Sequence, residues 1–218
     1  MAASMASHPL RPRLRGVIHR YASMGFAVAF GALGVTSGDA AAAAWVSIYG
    51  LCVTAMLAVS AVYHSGKLSS PALRAFKRVD HSMILVAIAG SYTGIVGLAL
   101  DGTTRVVLLA AVWSAAVVGV AIRMLWLDAP YPVTAAVYVA VGWVALLDVS
   151  AFVGSLTDIE LALVVAGGVL YSLGAVVYAL HRPNPWPTTF GYHEVFHAIV
   201  VLAATTHVVA VALLVARR

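Results

Sequence analysis

The chain has 218 residues, of which 62% are hydrophobic and only 10% are charged. An ordinary soluble domain carries roughly 25% charged residues, so this composition excludes one and predicts an all-α integral membrane protein. The net charge of +5 does not indicate a nucleic-acid partner, because the basic residues lie in short polar segments between apolar runs, where they set membrane topology. Cys52 is the single cysteine, which excludes an intramolecular disulfide.

Seven apolar segments follow a polar N-terminal tail at residues 1–20. Each is about 20 residues long, the length that a helix needs to cross the hydrocarbon core of a bilayer. The first could be mistaken for a signal peptide, but the regular series of spans that follows favours a membrane helix. We therefore predict one seven-helix transmembrane domain at 21–216, with helices at about 21–37, 41–64, 81–100, 104–126, 132–154, 159–181 and 192–216.

The distribution of lysine and arginine predicts that the N-terminus lies in the cytosol. Of the 13 basic residues, only Arg105, Arg217 and Arg218 would then lie outside. The other ten would lie on the cytoplasmic side: Arg11, Arg13, Arg15, Arg20, Lys67, Arg74, Lys77, Arg78, Arg123 and Arg182.

Histidines mark the cytoplasmic side of the predicted bundle. His193 and His197 open the last span and lie one helical turn apart, so both can bind one metal ion. His64 ends the second span on the same side, and three histidines plus water form the open site typical of catalytic zinc. Other transition metals also accept histidine ligands, so Zn²⁺ is preferred by ligand type alone.

Two polar residues lie at the same depth as these histidines. Asp80 begins the third span and Ser60 lies one turn before His64. A carboxylate beside a zinc-activated water could position that water or take its proton, so Asp80 and Ser60 are the predicted catalytic residues. Simpler roles stay open, since an acidic residue suits a helix N-terminus and a serine can bond back to its own helix.

The segment His193-Glu194-Val195-Phe196-His197 also matches the H-E-x-x-H pattern of metalloproteases. The acidic third ligand would have to be Asp101, which the predicted topology places about 30 Å away, across the membrane. We therefore reject the protease interpretation and leave Glu194 as a residue that could orient a histidine. His207 lies about 15 Å further along the helix, so we expect it to form an interhelical hydrogen bond or to line a cavity.

The motifs around these residues carry a family resemblance. They are Ser60-Ala-Val-Tyr-His64, Arg78-Val-Asp80-His81-Ser-Met-Ile and Gly191-Tyr-His193-Glu-Val-Phe-His197, with His207 downstream. Together with Arg15-Gly16-Val-Ile-His19 and Arg182-Pro-Asn-Pro-Trp-Pro187, they resemble the bacterial branch of the hemolysin III family. That branch belongs with the progestin and adiponectin receptors, and the resemblance covers about residues 15–216.

The resemblance implies a seven-helix fold with a cytosolic N-terminus. It also implies a zinc held by His64, His193 and His197, with Asp80 touching its water and Ser60 nearby. The wider superfamily includes alkaline ceramidases, which hydrolyse lipid amides. The receptors carry Gln where Glu194 stands, so the resemblance does not make this glutamate an indispensable base.

We therefore expect a zinc-dependent hydrolase of a lipid amide or ester at the cytoplasmic face of the bacterial plasma membrane. Its expected partners are membrane lipids, without nucleic acid, and the sequence does not define an oligomeric state. Two alternatives remain: a pore-forming or cytolytic protein with a structural zinc, and a sensor of membrane lipid state.

Overall fold

The computed structural model describes residues 12–218, so the first part of the predicted tail, including Arg11, lies outside the described residues. The long elements of the described range are all helices, as predicted. They are α1 (Val17–Thr36), α2 (Ala40–Tyr63), α3 (Ser70–Ala99), α4 (Gly102–Leu125), α5 (Tyr131–Gly142), a short 3₁₀ helix (Val144–Asp148), α6 (Val149–Ser155), α7 (Asp158–Leu180) and α8 (Tyr192–Ala216).

Six helical segments in the described range are long and apolar enough to cross a membrane. They comprise α2, α3, α4, the combined segment Tyr131–Ser155, α7 and α8. The chain is therefore a multi-pass membrane protein. Helix α1 spans 20 residues but is not among these six, so the seventh crossing and the cytosolic N-terminus stay predictions.

Helix α3 lies at the centre of the bundle, where it packs against α2, α4, α5 and α8. Its glycines allow the neighbouring helix to approach closely, as small residues do in membrane proteins. A Cβ added at Gly90 would lie 2.5 Å from Cys52, and one at Gly94 would lie 2.8 Å from Tyr49. The helix begins at Ser70, ahead of its predicted start at 81, because Pro71 occupies a first-turn position where its missing N–H costs nothing.

The segment predicted as one helix at 132–154 is broken after Gly142. The Tyr92 hydroxyl of α3 enters the break, where it donates to the Gly142 carbonyl at 2.8 Å and accepts from the Ala145 N–H at 2.7 Å. A side chain inserted into the helical hydrogen-bond ladder is a common cause of such a break. The break places Gly142 and Trp143 on the wall of an internal cavity.

The C-terminal arginines are paired at the end of the bundle where α1 ends and α2 begins. Arg217 Nε lies 3.1 Å from Glu160 Oε1, and Arg218 lies 3.3 Å from Asp39 Oδ2. Glu160 is buried and also completes a capping box with Thr157 at the start of α7. These ion pairs give both C-terminal arginines acidic partners at this end of the bundle.

Candidate metal centre

The candidate site lies at the end of the bundle where α1, α3 and α8 begin and α2 ends, here called the histidine end. His64 is the C-terminal cap of α2, and its N–H donates to the Ser60 carbonyl at 2.9 Å. Helix α8 begins at Tyr192, where Glu194 Oε2 accepts from the Gly191 N–H at 2.9 Å. These two helix ends fix the positions from which His64 and His193 approach each other.

Three histidines converge at this end. The ligand atoms of His64, His193 and His197 all lie within 4.8 Å of one another, with His64 and His197 buried and His193 half-buried. The Nε2 atoms of His64 and His193 are 3.0 Å apart. Tetrahedral zinc with Zn–N bonds of 2.0–2.1 Å requires nitrogens about 3.3 Å apart, so the group could hold a metal ion after small shifts.

Asp80 and Ser60 lie beside this histidine cluster. Both side chains are buried, and the Ser60 hydroxyl lies close enough to the Asp80 carboxylate to interact with it. They line the same cavity as His193 and His197. The structure therefore brings the five residues singled out in the sequence into one neighbourhood, although the roles assigned to them stay predictions.

The cavity runs from the histidine end into the bundle. Its volume, counted as the space open to the centre of a water molecule, is about 120 Å³. Its apolar wall includes Ile84, Ile88 and Val200. The cavity reaches His207, which lies about 15 Å beyond His197 along α8.

A second cavity shares part of the same lining: Ser91, Tyr92, Gly142, Trp143, Gly168 and His207. His207 also donates from Nε2 to the Val164 carbonyl at 3.0 Å, so it fills both roles expected for it.

Residues 12–16 pack against the loop before α8 and against the end of α2, beside His64. The N–H groups of Arg13 and Leu14 donate to the carbonyls of Thr188 and Thr189, each at 3.1 Å. Gly16 has φ +80°, and a Cβ added there would lie 2.9 Å from the Cβ of His64. Only glycine adopts this backbone conformation without strain and also leaves room for His64.

The Glu194 carboxylate has its partners in this N-terminal segment and at the start of α8 rather than in the histidine cluster. One carboxylate oxygen pairs with Arg15 and the other caps Gly191. Asp101 lies at the opposite end of the bundle, where its exposed carboxylate is 3.1 Å from Arg105. Neither carboxylate is placed as the H-E-x-x-H protease pattern would require.

The sequence did not predict a contact between Arg123 and His81, which the structure contains. Arg123, predicted as a topology anchor, is buried, and its guanidinium lies 2.6 Å from His81 Nδ1 and 3.2 Å from Thr134 Oγ1. Arginine can only donate, so His81 Nδ1 accepts and the ring proton is on Nε2. His81 also lines the cavity. In the sequence, the only indication of this position was that His81 directly follows Asp80.

His19 was also missed as a site residue. It was noted only as part of a family motif, yet it is buried and lines the cavity beside His193 and His197.

The described residues therefore form a multi-pass helical membrane protein with a three-histidine cluster at one end of the bundle. A family model described as "Haemolysin-III related" matches residues 7–208, and the chain belongs to that family, as the motifs predicted. Among relatives, "Hemolysin-3 homolog" of Bacillus subtilis (strain 168) is 32% identical over 123 residues, which cover 56% of this chain and 55% of that protein. The chain thus spans about half the length of this relative. "Hemolysin-3" of Bacillus cereus is 27% identical over 165 residues, which cover 75% of this chain and 72% of that protein.

Proposed function

We propose that the chain is a zinc-dependent hydrolase that cleaves a lipid amide or ester at the cytoplasmic face of the plasma membrane. One observation carries this proposal. His193, His197, Asp80 and Ser60 line one end of a cavity that continues between apolar side chains. An acyl chain fits such a cavity, because burying apolar surface is favourable there, and its polar head would then lie beside the histidines.

The donor set suits the metal. Three neutral imidazoles are a ligand set found in catalytic zinc sites. His64, His193 and His197 would hold the ion, and zinc would supply Lewis acidity, which lowers the pKa of water to about 7.

Asp80, assisted by Ser60, transfers the proton in this proposal. The Asp80 carboxylate accepts a proton from the water that attacks the carbonyl carbon of the lipid. It returns the proton to the leaving nitrogen or oxygen when the C–N or C–O bond breaks. The Ser60 hydroxyl, which lines the same cavity beside Asp80, would orient the carboxylate. The helices around the cavity exclude bulk water, which strengthens these polar interactions.

The test is turnover of fluorescent lipid amides and esters by purified protein in lipid nanodiscs. Asp80→Asn should keep its zinc and lose activity by about 10²-fold or more, since it removes the proton acceptor. His193→Ala should lose both zinc and activity. Asp101→Asn is the matched control, because this exposed carboxylate lies at the opposite end of the bundle. Full activity in both site variants would refute the proposal.

A second candidate is a membrane-lytic protein with a structural zinc, which the names of the two relatives, "Hemolysin-3 homolog" and "Hemolysin-3", favour. Lysis of red cells by the purified protein after zinc removal would support this candidate. A lipid-dependent conformational change without turnover would instead support the lipid-sensor alternative.

A further inference from the structure

His19 is a buried histidine that the proposed chemistry does not use. It lies in the first turn of α1 and is 2% exposed. Its ring stacks on the His197 ring, with 3.7 Å between ring centroids and 7° between ring planes. The ring lies near the His197 backbone, but neither nitrogen has a hydrogen-bond partner of acceptable geometry within residues 12–218.

The stacking argues against His19 as a fourth metal ligand. The lone pairs of two parallel imidazoles lie in their ring planes, so they run side by side and do not converge on one point. Among the described residues, the group whose ligand atoms lie mutually close contains His64, His193 and His197 without His19.

Packing alone does not explain a histidine at this position. A phenylalanine or leucine would fill the same space on His197 without burying polar atoms. Buried nitrogens without partners are unfavourable, and the great majority of buried polar groups are hydrogen-bonded to protein, water or ligand. Since His19 lines the cavity, a ligand in that cavity can supply the missing partners.

The chemistry of the ring restricts that occupant. A neutral imidazole has one N–H donor and one nitrogen acceptor, and both are unpaired here. The N–H needs an acceptor, and the other ring nitrogen needs a donor. An amide or a hydroxyl group can supply either, whereas an ester offers acceptors alone.

We propose that His19 binds the polar head of the cavity ligand and makes the site prefer a lipid amide over the corresponding ester. The ligand class rests on the proposed function, but the binding role does not require turnover. His19 thus holds the polar head beside the metal site without contacting the metal.

Two substitutions separate hydrogen bonding from packing. His19→Phe keeps a flat ring on His197 and removes both nitrogens. His19→Gln keeps a donor and an acceptor and removes the ring. His19→Leu takes the place of the phenylalanine variant if that protein does not purify in a folded state.

The experiment measures equilibrium binding of oleamide and methyl oleate to the full chain in detergent, with zinc content and reaction products assayed in the same samples. We expect the wild type to bind oleamide about tenfold more tightly, the increment of one good hydrogen bond. His19→Phe should lose this preference while keeping its zinc, and His19→Gln should retain most of it.

Three results would overturn the proposal: equal binding of both lipids by the wild type, an unchanged preference in His19→Phe, or loss of zinc from His19→Phe. The last would mean that the ring nitrogens serve the metal. Failure of the hydrolase proposal is distinguishable, because no product would then form although the oleamide preference remained.

Discussion

The Nε2 atoms of His64 and His193 face each other at 3.0 Å, although the residues are 129 positions apart in the chain. Two neutral imidazoles at this distance can share one proton, or both can bind one metal ion. His197 completes the group from the next turn of α8. The contact therefore joins the end of α2 to the start of α8 through the candidate metal site.

Ser60 should assist Asp80 rather than bind the metal. We expect Ser60→Ala to lower kcat about tenfold with zinc content unchanged, because the hydroxyl that would orient the Asp80 carboxylate is lost. Steady-state kinetics on a lipid amide measures this. Ser82→Ala is the control, since Ser82 is also buried but its hydroxyl has no hydrogen-bond partner among residues 12–218. Unchanged kcat in Ser60→Ala would remove Ser60 from the mechanism.

Tyr92 should stabilise the break between α5 and the 3₁₀ helix. Tyr92→Phe removes hydrogen bonds to Gly142 and Ala145, and we expect the free energy of unfolding to fall by about 1–3 kcal/mol. Denaturant unfolding in micelles measures this change. Tyr21→Phe, at an exposed tyrosine of α1, should have no effect. Equal stability of the Tyr92 variant and the wild type would contradict the assigned role.

Gly94 should be intolerant of a methyl group. A Cβ there would lie 2.8 Å from the Tyr49 ring, so Gly94→Ala should lower the free energy of unfolding by about 1–3 kcal/mol through overpacking. Gly31→Ala is the matched control, because nothing lies within 4 Å of a Cβ at that position. The idea fails if both variants unfold alike.

Orientation can be tested by labelling intact cells. Cys52 is buried, so it should not react with a membrane-impermeant maleimide. If the N-terminus is cytosolic, Ser69→Cys at the histidine end should be protected and Asp101→Cys at the opposite end should be labelled. The reverse pattern would place the histidine end outside the cell.

The three-histidine group could be predicted from the sequence because the spacing of its residues along each helix is a local pattern. His193 and His197 are one turn apart, and Ser60 and His64 are one turn apart on another helix. Charge distribution then placed both pairs on one side of the membrane. His19 offered no such spacing, because its partner is a ring on α8 that only the folded bundle brings near.

The helices were predictable from apolar length, but the break at Gly142 was not. No proline marks it, and the residue that enters the break, Tyr92, belongs to another helix. The Arg123–His81 contact likewise joins α4 to α3, so no local pattern reports it. Tyr92, Gly142 and His81, which take part in these contacts, all line the cavity.

The proposed function depends on a zinc site formed by His64, His193 and His197. Elemental analysis of detergent-purified protein tests it most directly, with His64→Ala and His193→Ala as site variants and His181→Ala as control. The His181 ring packs on Tyr131 and Tyr192, outside the three-histidine group. We predict about one zinc per chain in the wild type and control, and none in either site variant. A folded wild-type protein without metal, or site variants that keep it, would contradict the claim.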